Sequence, residues 1–253
     1  MRVLLVNDDG VHADGLVALY HAIAAHHDVV VCAPERQRSA AGHAITLHKP
    51  LRLSKSHLKD GTPAFSSNGT PSDCATLGIH EAMGDEVDLV ISGINHGPNM
   101  GWDVHYSGTV SAAIEASIIG KQAFGISVAS FDDEIHWDTA AQFALKLADH
   151  IVANPLPAYM VFNVNVPNVP RSELRGVAIT TLGRRQYVDC VDKRLDPRGR
   201  MYYWLGGSLS DERGHDEPGT DVSAVDDNMI AVTPLQLDMT AHNLLPGLRS
   251  FDW

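Results

Sequence analysis

Four consecutive apolar residues, Val3 to Val6, stop abruptly at Asn7-Asp8-Asp9-Gly10, and that boundary leaves few folds open. A run that is apolar at every position belongs to a strand covered on both faces. Leu16, Leu19, Tyr20 and Ile23 then recur at i, i+3, i+4 and i+7, the spacing of one buried helical face. Val29 to Cys32 forms a second apolar run, ended by Pro34. Strand, helix and strand in this order predict a parallel pair joined by a right-handed crossover.

The alternation continues. Residues 45–66 read as a small antiparallel excursion around Pro50 and Gly61, and residues 72–83 as a helix capped by Ser72. Val87 to Ile91 is a third buried strand, followed by a glycine-rich loop from Gly93 to Gly101. A helix starts at about Ser107, with Val110, Ala113, Ile114, Ser117 and Ile118 facing inward. Ala123–Val128 is a strand, Trp137–Val152 an amphipathic helix, and Tyr159–Val166 a closing strand. This order predicts an α/β fold with a doubly wound, mostly parallel sheet over residues 1–170. Beyond it, Val177–Leu182 reads as a strand, and Gln186–Asp192 with Arg200–Leu205 as a β-hairpin turning at Asp196-Pro197-Arg198-Gly199. A long loop over 206–221, a last strand at Met229–Thr233 and a tail ending in Trp253 complete the chain. The expected organisation is a single domain, 1–253, with a core (1–170) and a C-terminal extension (171–253).

Charge narrows the partners. The formal net charge is −12, which repels a polyanion and argues against groove binding to DNA or RNA. A small phosphorylated substrate stays compatible if a cation neutralises the site. Cys32, Cys74 and Cys190 are odd in number and form no CxxC pair, so reduced thiols are expected. The first residues hold no apolar stretch of the roughly 7–15 residues a secretory signal needs. No segment approaches the roughly 20 apolar residues of a membrane span. A cytoplasmic location without membrane attachment is the expectation.

In an open α/β sheet, ligands bind outside the carboxyl ends of the strands. Three polar clusters fall there: Asn7 to Gly10, Glu35 to Ser39, and Ser92 to His96. Adjacent carboxylates at a strand end are tolerated when a cation shares them. Asp8, Asp9, the Ser39 hydroxyl and the Asn95 amide oxygen make an all-oxygen donor set, suited to Mg²⁺, Mn²⁺ or Ca²⁺ rather than zinc. Asn-Asp-Asp-Gly is equally good turn chemistry. Ser107-Gly108-Thr109 opens a helix, whose free N–H groups attract phosphate; Ser107 can serve simply as its N-cap. Of 14 histidines, His96 and His105 flank the glycine loop and are candidate proton donors or substrate contacts. Arg36 and Arg38 can reach a phosphate or pair with nearby acids.

Several blocks together carry a resemblance. VNDDG (Val6–Gly10), PERQRS (Pro34–Ser39), GTPSDC (Gly69–Cys74), SGINHGPNMGWDVHYSGTVSAAIEA (Ser92–Ala116), GTD (Gly219–Asp221) and VTPLQLDMTAH (Val232–His242) stand in order along the chain. They resemble the signatures of the survival protein E (SurE) nucleotidases. The resemblance implies a Rossmann-like first two-thirds and a C-terminal hairpin and exchanged tail used in homodimers or homotetramers. It implies one divalent metal ion per subunit, Mg²⁺ or Mn²⁺, held by Asp8, Asp9, Ser39 and Asn95. The implied activity is hydrolysis of nucleoside 5′-monophosphates, also 3′-monophosphates and short polyphosphate. Asp8 or Asp9 would act on the attacking water, and Asn99, Ser107, Gly108 and Thr109 would bind the phosphate. Two positions depart from the pattern. Ala40 and Ala41 follow Ser39 where the family commonly has glycine, and alanine would be strained if that position needs a positive φ. Asp14 replaces a frequent proline.

A phosphorylatable receiver-like signalling module is the alternative from another class, since LLVNDDG resembles the acidic pair of such domains. Its acceptor aspartate is missing after the third strand, where Ser92 and Asn95 stand. A dinucleotide-binding dehydrogenase is excluded by the lack of GxGxxG after the first strand.

Overall fold

A computed structural model describes residues 1–184, 187–188, 191–206, 208–209 and 217–251. Cys190, Trp253, Gln186 at the start of the expected hairpin and half of the expected 206–221 loop lie outside the described residues. In chain order the elements are β1 (Arg2–Val6), α1 (Asp14–Ala24), β2 (Asp28–Pro34), β3 (Leu53–His57), β4 (Pro63–Ser67), α2 (Pro71–Leu77, continued by a π-helical turn over Gly78–Ala82), β5 (Leu89–His96), a 3₁₀ turn (Gly101–His105), α3 (Gly108–Ile118), β6 (Gln122–Val128), α4 (Trp137–Ala153) and β7 (Met160–Val166). A second 3₁₀ turn (Arg171–Glu173), β8 (Gly176–Ile179), β9 (Tyr187–Val188), β10 (Val191–Leu195), β11 (Met201–Leu205), β12 (Ser208–Leu209), α5 (Asp221–Asp226), β13 (Met229–Gln236) and α6 (Leu245–Arg249) follow.

The main sheet has the order β3-β4-β2-β1-β5-β6-β7-β13-β8. From β4 through β7 every neighbouring pair is parallel. β3 is antiparallel to β4, and β13 is antiparallel to β7. The central strands β1, β5 and β6 are buried on both faces, as their apolar runs require. Val3 and Leu5 pack with Leu16, Leu19 and Ile23 of α1 and Ala140, Ala144 and Ile151 of α4. Leu4 and Val6 point the other way, into Cys74, Ala112, Ala113 and Ala116 of α2 and α3. Both faces are thus wound by helices, and the chain moves from β1 to β2 on one side and later to β5 on the other. That reversal puts the crevice between the carboxyl ends of β1 and β5.

Several local expectations change. Thr70, not Ser72, caps α2: its side chain accepts from Asp73 N–H while the Asp73 carboxylate accepts from Thr70 N–H at 2.8 Å. β5 does not stop at Ile91 but runs to His96, so the first part of the expected loop is strand. Ile118 is half exposed rather than inward, because α3 turns its small residues, Ala112, Ala113 and Ala116, to the sheet. β8 ends at Ile179, short of Leu182, and β13 continues through Pro234 to Gln236. Both belong to the main sheet, so that sheet extends past residue 170. The hairpin forms as β10 and β11 about the Asp196 turn, with Leu195 opposite Met201 and Val191 opposite Leu205.

Candidate active site

β1 delivers Asn7 into a buried side-chain turn. Asn7 Nδ2 donates to Gly10 O at 2.9 Å and Gly10 N–H donates to Asn7 Oδ1 at 3.2 Å. Gly10 takes a φ of +97°, and a Cβ there would lie 3.0 Å from the Arg36 carbonyl carbon. Asn-Asp-Asp-Gly is therefore a turn as well as a site. Asp8 is buried beneath α3, and the Thr109 hydroxyl donates to its Oδ1. A Cβ on Gly108 would lie 2.8 Å from Asp8 Cβ, so the helix can start this close only with glycine. Asp9 Oδ2 accepts from His96 N–H at 3.0 Å, and Oδ1 has a long contact of 3.4 Å with Gln37 Nε2. Burial pushes the Asp8 carboxyl up to about 6, and the neighbouring Asp9 charge adds to the rise. Burial also raises Asp9. Among the described residues, no lysine or arginine pairs with either acid.

Asn95 reaches the same place through a bulge. Between Ser92 and Asn95 three residues of β5 advance against two of β6, and the register shifts. Asn95 Nδ2 donates to Gly97 O at 2.8 Å, which leaves Oδ1 to the crevice. Asp8, Ser39, Asn95, Asn99 and Ser107 line one cleft of about 680 Å³. Ala40, beside Ser39, has a φ of +55°, the left-handed conformation anticipated for that position. The described residues contain no cluster of three His, Cys, Asp or Glu side chains that could hold a metal. A cation at this cleft would thus be met by two carboxylates and neutral oxygens, which fits a hard ion such as Mg²⁺ or Mn²⁺ and not zinc.

The start of α3 forms the cleft's other wall. Ser107 is the N-cap, accepting from Val110 N–H at 3.1 Å. Thr109 is fully buried and spends its hydroxyl on Asp8, so that side chain supports a carboxylate rather than reaching the open cleft. Asn99 is clamped by asparagines of β7. Its N–H donates to Asn165 Oδ1 at 2.8 Å, and its carbonyl accepts from Asn163 Nδ2 at 2.7 Å and Asn165 Nδ2 at 3.0 Å.

The family model described as Survival protein SurE matches residues 3–189. The chain belongs to that family. It is 46% identical to the 5′-nucleotidase SurE of Geobacter sulfurreducens over 252 residues, covering 100% of this chain and 94% of the relative. It is 44% identical to that of Moorella thermoacetica, with 100% and 98% covered. The solved SurE protein from Aquifex aeolicus superposes with a TM-score of 0.85 at 36% identity, covering 98% of each chain.

Other expected residues of this SurE chain fall differently. His96 lines the cleft, but its ring is engaged: Nε2 meets Asp132 O at 2.9 Å, and the ring packs edge-on to Trp137. His105 ends the 3₁₀ turn and does not line the cleft. Arg38 Nη2 turns away to donate to Asn68 O at 2.9 Å, and Arg36 is exposed outside the lining. One residue of the GTD block gains a role the residue types alone did not give. Asp221 is fully buried and accepts from Gly101 N–H at 2.8 Å, Gly183 N–H at 2.8 Å and Val222 N–H at 2.9 Å. It ties the 3₁₀ turn before α3 to the C-terminal region. Burial raises its carboxyl, and the three N–H groups pull it back down.

Proposed function

We infer that the chain is a 5′-nucleotidase that needs a divalent cation, Mg²⁺ or Mn²⁺, and releases phosphate from nucleoside monophosphates. The observation that carries the reading is the pair Asp8, buried, and Asp9, half-buried, without a cationic side chain beside a helix start. Asp8, Asp9, Ser39 and Asn95 would hold the ion, one per subunit. Thr109 fixes Asp8 Oδ1 and His96 N–H fixes Asp9 Oδ2, so Asp8 Oδ2 and Asp9 Oδ1 are the oxygens left for that task. A bound divalent cation supplies charge neutralisation at the phosphate and a lowered pKa for water. Ser107, the backbone N–H of Gly108 and Asn99 would face the phosphate at the positive end of α3. Asp8 or Asp9 would orient the attacking water or take its proton. Action on 3′-monophosphates and short polyphosphate belongs to the same reading, since nothing in this phosphate cradle requires one ester. A cytoplasmic homodimer or homotetramer is the proposed form, supported by the uncovered apolar face of the β10–β11 hairpin.

The receiver-like alternative lacks support: β5, the strand that would present the acceptor aspartate, ends Ser92-Gly93-Ile94-Asn95-His96.

The test is phosphate release from a panel of nucleoside monophosphates with EDTA, Mg²⁺ or Mn²⁺ present. Turnover that depends on metal, and a folded Asp8→Asn protein with kcat reduced on the order of a thousandfold, are expected. Undiminished turnover in EDTA or in folded Asp8→Asn would overturn the assignment.

A further inference from the structure

The mouth of the cleft carries a feature that phosphate chemistry leaves unused. Phe131 lines it, yet its side chain is 76% exposed. An exposed phenylalanine is ordinary on a floppy loop, but this one is held. Ser130 Oγ donates to Asp132 Oδ2 at 2.6 Å, and Asp132 N–H donates to Ser130 Oγ at 3.0 Å, closing the turn that presents the ring. His96 Nε2 binds Asp132 O at 2.9 Å and fastens that turn to the end of β5, next to Asn95. Gly97 makes room for the ring: a Cβ there would lie 2.5 Å from Phe131 Cε1. Gly97 also takes a φ of +116°, which glycine alone adopts without strain. Tyr106, likewise exposed, lines the same cleft beside Ser107.

The cleft is thus two-sided in chemistry. Its floor holds carboxylates and a helix start, and its rim holds aromatic faces. A nucleoside monophosphate has the same division, a doubly charged phosphate at one end and a flat π-system at the other. A cleft of about 680 Å³ is in the range that encloses a ligand of this size. We propose that Phe131 is the platform on which the substrate's nucleobase stacks while the phosphate sits at the start of α3, with Tyr106 as a second wall. Stacking on an aromatic face is tolerant of base identity because every base offers a π-face. Purines, with the larger face, should bind more tightly than pyrimidines. The proposal rests on the nucleotidase reading of the same cleft and adds the determinant for the nucleoside half.

The experiment compares the full-length protein with Phe131→Ala and Phe131→Trp, in the presence of Mg²⁺. Calorimetry gives the AMP Kd, with a non-hydrolysable phosphonate analogue standing in for AMP, and separately the Kd for inorganic phosphate, and steady-state assays give KM and kcat for AMP itself. Phe131→Ala should raise the AMP Kd on the order of tenfold, leave phosphate binding within about twofold, and raise KM more than it lowers kcat. Phe131→Trp should restore AMP binding. An unchanged AMP Kd in Phe131→Ala overturns the platform. Equal weakening of AMP and phosphate also overturns it, because the loss would then lie in the site's geometry. The two readings separate in the wild-type protein. AMP bound more tightly than phosphate but not hydrolysed would defeat the nucleotidase reading and still support the platform. AMP bound no better than phosphate would defeat the platform alone.

Discussion

The carboxyl edge of the parallel sheet and the β10–β11 hairpin are both made of strands, and they meet opposite fates. At the sheet edge, β1, β5 and β6 are covered on both faces, and even polar side chains are buried and engaged: Asn7, Asp8, Asn99, Asn165 and Asp221. On the hairpin, register places Val191, Leu195, Met201, Tyr203 and Leu205 on one face, and all of them are exposed in the single chain. The first region is complete within one chain. The second is apolar without cover, as a surface that meets another molecule is. Damage to the first should therefore appear as lost chemistry and stability, and damage to the second as lost assembly.

The largest expected effect tests the first half of that contrast through pH. The Asp8 pKa in the folded chain, about 6, stands above its ordinary value of 3.8. The folded metal-free protein therefore holds this proton more tightly than the unfolded chain does. As pH rises from about 4 through about 6, this group should cost the metal-free fold about 3 kcal/mol. A divalent cation must displace the same proton, so its affinity should fall about tenfold per pH unit below about 6 and level off above. Titration calorimetry across pH 5 to 8 checks this, and a flat affinity profile would remove Asp8 from the ligand set. Next in size, Asp221→Asn replaces an acceptor of three N–H groups by an amide whose NH₂ must face one of them. A loss of about 2–3 kcal/mol is expected in denaturant unfolding, with weaker nucleotide binding because Gly101 is released. A change under about 0.5 kcal/mol would show that Asp221 is not the tie it looks to be.

The second half of the contrast is probed by Leu195→Ser or Tyr203→Ser on the hairpin. Sedimentation should show a smaller assembly at equal concentration, with unfolding free energy per chain changed by only about 0.5 kcal/mol. An unchanged assembly would mean that the hairpin's apolar face serves something other than copies of this chain. The smallest effect is expected at Ala40→Gly. Relief of the left-handed alanine should add up to about 1 kcal/mol of stability, offset in part by glycine's freedom in the unfolded chain. A destabilised Ala40→Gly protein would show that the loop is not strained.

Much of this was open to sequence reading because the signals are local. Val3–Val6 and Val29–Cys32 are apolar without a break, Ala123–Val128 is interrupted only by Gly125 and Ser127, and the structure places all three in parallel strands. Asp8, Asp9, Ser39 and Asn95 stand at strand ends, where a doubly wound sheet gathers them. The strained Ala40 was visible from the replaced glycine. What escaped depends on distance. Asp221 acts on Gly101, 120 residues earlier, and no pattern near Asp221 announces it. Thr109 stood in the helix-start cluster, yet its use on Asp8 depends on a contact across 101 residues. Thr70 and Ser72 are both cap formers by residue type, and only the reciprocal bond from Asp73 separates them. Gly93 reads as a strand breaker, whereas the structure keeps β5 in the sheet through it.

That last strand has a consequence for how the chain can change over generations. Because one extra residue in β5 sets which way Asn95 points, the segment from Ser92 to His96 is fixed in length, and Gly93 is fixed in kind as well, since its φ is +141° and a Cβ there would lie 2.3 Å from Ile126 O. Dropping one residue there would rotate Asn95 to the opposite side of the sheet and carry the His96 N–H away from Asp9, dismantling two contacts in a single event. Relatives that keep the chemistry should therefore keep the residue count of this stretch, together with its glycine and asparagine.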